Sequence, residues 1–142
     1  MILKIKLLHP DAQLPAYAHP DDSGMDLTSV EDVVIAPGKR ALVPTGLAIE
    51  LPPGTEAQIR PRSGLAARNG LTLLNTPATI DEGYRGEIKI IIINFGETDF
   101  EIKKGMRIAQ MVICPILRPE ISVCDTLPET VRSASGFGST GV

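Results

Sequence analysis

Twelve prolines and thirteen glycines interrupt this 142-residue chain too often for long helices. The turn signals fall at Pro37-Gly38, Pro52-Pro53-Gly54, Asn69-Gly70, Glu82-Gly83, Phe95-Gly96 and Lys104-Gly105. Between them lie short β-branched or alternating runs over residues 33–35, 47–51, 57–60, 88–94 and 106–113, and residues 1–8 alternate as well. Strands recurring about every 8–16 residues between Gly/Pro turns predict an all-β sandwich or barrel. The run Ile88-Lys89-Ile90-Ile91-Ile92-Ile93 is apolar enough to be covered on both faces, by a second sheet or by another subunit. One segment breaks the pattern. Ser63-Gly64-Leu65-Ala66-Ala67-Arg68-Asn69-Gly70 combines a serine N-cap, helix formers and a closing glycine, which predicts a helix of one to two turns.

Length and charge narrow the function classes. A chain of this size is expected to form one domain, and it needs neither a disulfide nor a metal to fold. Its net charge of −3 argues against non-specific binding of nucleic acid, which needs a basic face. A small anionic substrate needs only a few well-placed cations. Cys114 and Cys124 lack metal-ligand spacing, and His9 and His19 are isolated, so no zinc site is expected. No stretch approaches a membrane span, residues 1–8 are too short for a signal-peptide core, and a soluble cytoplasmic protein with reduced thiols is the expectation.

Three segments carry chemical meaning. Arg60, Pro61 and Arg62 precede the predicted helix, so its free amides would sit beside two guanidinium groups, a natural seat for phosphate. The stretch from Asn75 to Ile88 reads as a strand, a tight turn and a second strand. In this predicted hairpin Asp81 lies just before the turn, and Tyr84 can lay a ring against a sugar or base. The last eleven residues, Arg-Ser-Ala-Ser-Gly-Phe-Gly-Ser-Thr-Gly-Val, include six Gly or Ser and cannot pack as a regular element. Phe137 between two glycines, beside amides able to wrap an anion, points instead to an arm that orders over a ligand.

In order and spacing these segments resemble the five motifs of the trimeric dUTP pyrophosphatases. The motifs are Asp22-Ser23-Gly24-Met25-Asp26-Leu27, Arg62-Ser63-Gly64-Leu65-Ala66, Thr79-Ile80-Asp81-Glu82-Gly83-Tyr84-Arg85-Gly86, Arg107-Ile108-Ala109-Gln110-Met111 and the run from Arg132 to Gly141. The resemblance implies a β jelly roll with one short helix, assembled as a homotrimer whose active sites are shared between subunits. The catalytic domain would span residues 1–130, with 131–142 as a closing arm. It implies hydrolysis of dUTP to dUMP and pyrophosphate, which supplies dUMP for thymidylate synthesis and keeps uracil out of DNA.

The same resemblance assigns roles. Asp81 would activate a water against the α-phosphorus. Asn75 and the backbone of Ala78, Thr79 and Ile80 would read uracil, and Tyr84 would lie under the deoxyribose. Arg62, Ser63, Gly64 and Gln110 would hold phosphates. Phe137 would stack on uracil, with Arg132, Gly138, Ser139 and Thr140 at the phosphates. Mg2+ is the implied cofactor, met through water by Asp26, and Gln110 is expected to share a strand face with Ile108 and Val112. Ala78 departs from the family's usual glycine, and a positive φ there would strain it. The related dCTP deaminases share the fold, but lack this arm and use a glutamate. A catalytically silent jelly-roll trimer would be expected to lack Asp81 or the arm, and both are present.

Overall fold

The computed structural model describes residues 1–137 and Ser139. Along the chain run β1 (Lys4–Leu7), β2 (Met25–Thr28), β3 (Val33–Ile35), β4 (Arg40–Pro44), β5 (Leu47–Glu50) and β6 (Thr55–Arg60). The helix α1 (Ser63–Asn69) follows, then β7 (Leu71–Leu73), β8 (Ala78–Ile80), β9 (Lys89–Asn94), β10 (Phe100–Ile102) and β11 (Arg107–Pro115). Every pairing is antiparallel, in the orders β1-β5, β10-β3, β2-β11-β6-β8 and β4-β9-β7. Most partners are distant in sequence, and the all-β jelly roll with one short helix is as expected. No helix among the described residues is long and apolar enough to cross a membrane.

The inner faces share one core. Leu27 and Met111 from the four-stranded sheet, Val43, Ile90 and Ile92 from the three-stranded sheet, and Leu47, Ile35 and Ile102 from the two pairs all belong to it. Burying each such side chain contributes roughly 1.5–3 kcal/mol. The isoleucine run divides as its composition required. Ile88, Ile90 and Ile92 enter the core, Ile93 is buried on the opposite face, and only Ile91 stays partly open. β9 is held on both edges, by β4 and β7, which explains its unbroken apolar character. At its end Asn94 is fully buried and fully bonded. Its Nδ2 donates to the carbonyls of Ile35 and Thr98 at 2.8 and 2.9 Å, and its Oδ1 accepts from the Gly96 amide at 2.8 Å.

The helix forms where expected, with a different start. Arg62, not Ser63, is the N-cap residue, in an extended conformation and with no side-chain cap. The first bond runs from the Ala66 amide to the Arg62 carbonyl at 3.1 Å, so the amides of residues 63–65 have no partner within the helix. Gly70 closes it in the left-handed region at φ 68°, and a Cβ there would stand 2.7 Å from the Gly96 nitrogen.

The predicted hairpin does not form as a ladder. β8 pairs with β6 and β9 pairs with β4 and β7, so the chain crosses from one sheet to the other between residues 80 and 89. Each strand gains more by joining a sheet that buries it than by pairing with its sequence neighbour.

Candidate functional site

The turn into α1, the second strand and the last strand build the first of two clefts. It measures about 370 Å³ and is lined by Asp26, Arg62, Ser63, Gly64, Arg107 and Gln110, with Ala18, His19 and residues 22–24 along one rim. Gln110 stands opposite Asp26 on one side and Arg60 on the other. Its Nε2 donates to the Pro61 carbonyl at 2.9 Å, which pins the turn carrying Arg62. A Cβ at Gly24 would collide with Gln110 Oε1, so the glycine makes this approach possible.

Asp26 is the electrostatic centre of this cleft. Its Oδ1 forms an ion pair with Arg62 Nε at 3.0 Å and its Oδ2 accepts from Arg107 Nη1 at 3.1 Å, while Arg62 Nη1 donates to the Arg107 carbonyl at 3.3 Å. Two guanidinium groups are thus aimed and partly neutralised by one carboxylate, ready to exchange it for phosphate oxygens.

Arg107 carries no role in the sequence reading, and strand alternation explains the omission. Three residues apart on a regular strand, Arg107 and Gln110 would face opposite ways. A register shift between Arg107 and Ala109 turns both into the cleft. The same bulge corrects the expected face of Gln110. It shares its partly open side with Val112, whereas Ile108 is buried in the core. Nor is His19 isolated, because its Nδ1 lies 3.2 Å from Asp22 Oδ2 at the rim.

The second cleft, about 460 Å³, is lined by Thr79, Ile80, Asp81, Tyr84, Glu87 and Lys89, with Leu42 and Ile91 behind them. Asp81 is exposed, and its carbonyl accepts from the Tyr84 amide at 3.0 Å, which closes the turn. Asn75 lies exposed in the bend before β8 and does not line this cleft. Ala78 is extended, pairs with Ile59, and packs against the core. Positive φ among the described non-glycine residues is confined to Ser133 and Phe137, so the expected strain at Ala78 is absent. An extended residue on the inner face accepts a methyl without cost.

Among the described residues none lines both clefts, so within one chain Asp81 and Tyr84 lie apart from Arg62, Arg107 and Gln110. The C-terminal segment leaves the body at Ile116, whose amide donates to the Gly54 carbonyl at 3.0 Å, and at Arg118, whose Nη2 meets Glu82 Oε2 at 2.8 Å. Among the described residues beyond Pro115 there is no strand or helix, and Ile121, Val123, Leu127, Val131 and Phe137 are exposed. Among the described residues Arg132 donates to the Ser135 carbonyl at 3.2 Å, and Arg132, Phe137 and Ser139 line neither cleft. Gly138 and Thr140 lie outside the described residues.

The donor set also bears on a metal. Among the described residues no three His, Cys, Asp or Glu side chains gather, and both Asp26 oxygens are engaged by arginines. Such a set does not cage an ion. It fits Mg2+ arriving on a polyphosphate with its water shell, the mode this ion favours.

Comparison with known proteins agrees with this geometry. A family model described as dUTPase matches residues 10–141. The deoxyuridine 5'-triphosphate nucleotidohydrolase of Clostridium tetani is 64% identical over 139 residues, covering 98% of this chain and 96% of its own. That of Gloeothece citriformis is 58% identical over 142 residues, covering 100% and 98%. Among solved structures, the Staphylococcus bacteriophage 80alpha dUTPase with dUpNHpp superposes with a TM-score of 0.93 at 31% identity, over 99% of both chains. A mutant dUTPase from phage phi11 of S. aureus, described for its coordination of a structural Mg(II) ion, matches at TM-score 0.84 and 27% identity, over 89% of this chain and 98% of its own.

Proposed function

The chain belongs to the dUTPase family, and from that membership we propose that it hydrolyses dUTP to dUMP and pyrophosphate at a site built from more than one subunit. The observation carrying this reading is the separation of the two clefts. Asp81 and Tyr84 line one, the paired arginines line the other, and a dUTP molecule needs both at once. A homotrimer that sets one subunit's second cleft against a neighbour's first would complete the site, and an arm from residue 131 onward would close it.

Within that site the residues divide the work. The backbone of Ala78, Thr79 and Ile80 reads the uracil edge, with Asn75 beside it. Tyr84 lies against the deoxyribose where a 2′-hydroxyl would clash. Arg62, Ser63, Gly64 and Gln110 hold the triphosphate, whose about four negative charges would otherwise repel a nucleophile. Mg2+ bound with the substrate draws further charge from the phosphate oxygens. Asp26 contributes by aiming Arg62 and Arg107, and would help to hold the ion's water shell. Asp81 orients one water and takes its proton as the oxygen attacks the α-phosphorus; the bond to the bridging oxygen breaks and pyrophosphate leaves. Arg132, Ser139 and Thr140 come over the phosphates and Phe137 over the uracil, excluding bulk water. Cytoplasmic placement belongs to the same proposal, supported by two free cysteines.

The test is direct. Purified protein with dUTP and Mg2+ should release dUMP and pyrophosphate, with dCTP, dTTP and UTP as controls. Release of ammonia from dCTP, or no reaction with dUTP, would overturn the reading.

A further inference from the structure

We propose that Gly86 is a specificity-determining residue: it provides the seat that holds the Tyr84 ring as a fixed wall of the sugar pocket. The inference rests on the reading of the second cleft as the nucleoside site. A Cβ built at Gly86 would overlap the Tyr84 hydroxyl and stand 2.6 Å from Cζ and 3.0 Å from Cε2. No side chain larger than hydrogen fits there while the ring keeps its place. The ring is therefore folded back across the loop that carries it, two residues further along.

The rest of the loop secures that pose. The Tyr84 hydroxyl donates to the Glu87 carbonyl at 3.0 Å. Glu87 is itself anchored, since its Oε1 accepts from the Gly46 amide at 3.0 Å and its Oε2 lies 3.5 Å from Lys89 Nζ. On the other side Arg85 Nη1 donates to the carbonyls of Glu82 at 2.8 Å and Tyr84 at 3.0 Å. Tyr84 is thus held at its hydroxyl and at its backbone, with the outer end of the ring laid over Gly86, all within one chain. A wall discriminates by sterics only if it cannot yield. One hydroxyl group separates UTP from dUTP, and a ring free to swing by an ångström or two would admit it.

The experiment compares kcat/KM for dUTP and UTP across wild type, Gly86→Ala, Tyr84→Phe, Tyr84→Ala and Gly86→Ala/Tyr84→Ala. Wild type is measured first, and failure to hydrolyse dUTP there would remove the parent reading rather than this one. Gly86→Ala should narrow the dUTP:UTP ratio by about tenfold or more, with oligomeric state and Tm unchanged. Tyr84→Phe, which keeps the seated ring and loses one bond, should narrow it less. In the Tyr84→Ala background the added Gly86→Ala change should leave the ratio where it was, because the glycine acts through the ring. An unchanged ratio in Gly86→Ala, or a full additional loss in the double variant, would overturn the proposal.

Discussion

Asp26 Oδ1 and Arg62 Nε meet at 3.0 Å, with side chains only 19% and 29% exposed. The other Asp26 oxygen is taken by Arg107. Asp26→Asn would therefore remove the shared negative charge and turn an NH2 donor toward one of the two guanidinium groups. Charge-assisted bonds of this kind contribute on the order of 1.5–3 kcal/mol, about one to two powers of ten in kcat/KM. Steady-state kinetics should show that fall, and raising Mg2+ should not reverse it. Recovery at high Mg2+ would return Asp26 to a metal-binding role.

Asp81→Asn tests the base. The variant keeps the turn closed by the Tyr84 amide, which uses the Asp81 backbone rather than its carboxylate. Binding of a non-hydrolysable dUTP analogue should survive, while kcat falls on the order of 10²–10⁴-fold. Near-normal turnover would exclude Asp81 from the chemistry.

Assembly can be tested by mixing. An Asp81→Asn chain and a chain ending at Thr130 should each be nearly inactive. Co-refolded together they should regain activity, since some mixed trimers would pair an intact second cleft with an intact arm. The truncated chain should keep its Tm, because the described residues beyond Thr130 form no strand or helix. Full activity of the truncated chain, or of a monomer by sedimentation, would contradict the shared site.

The arm's root has a pH dependence with a definite sign. Arg118, by its hydrogen bond to the Glu82 carboxylate, and then the Gly54 amide hold the Glu82 carboxyl below the usual glutamate value of 4.5. A carboxyl lowered in the folded state favours the contact above its unfolded pKa and loses it as pH falls through the folded one. The NMR shifts of the Arg118 guanidinium, which report on its contact with Glu82, should move toward free-arginine values as pH falls below 4.5 in the native protein. In Glu82→Gln that acid-dependent step should vanish, with the Arg118 shifts near free values at all pH values.

Ala78→Gly should restore nothing. The residue is extended and its methyl packs against the core, so the change costs roughly 0.5–1 kcal/mol of stability and leaves base preference alone. Thermal unfolding and a dUTP-versus-dCTP comparison would check both halves.

Local chemistry made much of this protein legible from its residues. Pro and Gly marked the turns, branched runs located β3, β5, β6, β9 and β11, and Gly70 marked the end of the helix, because these preferences depend on neighbours in sequence. The residue types at Asp26, Arg62, Asp81, Tyr84 and Gln110 were likewise readable as a motif set. What the tertiary structure alone decided was which of them meet. The strands β2, β4, β7 and β10 have no clear alternation or branched run to announce them and form through partners elsewhere in the chain. Only non-local pairing could part β8 from β9, raise the bulge that turns Arg107 toward Asp26, and send Asp81 and Arg62 to separate clefts. Register and facing follow from burying a shared core, and that free energy belongs to the whole chain rather than to any segment of it.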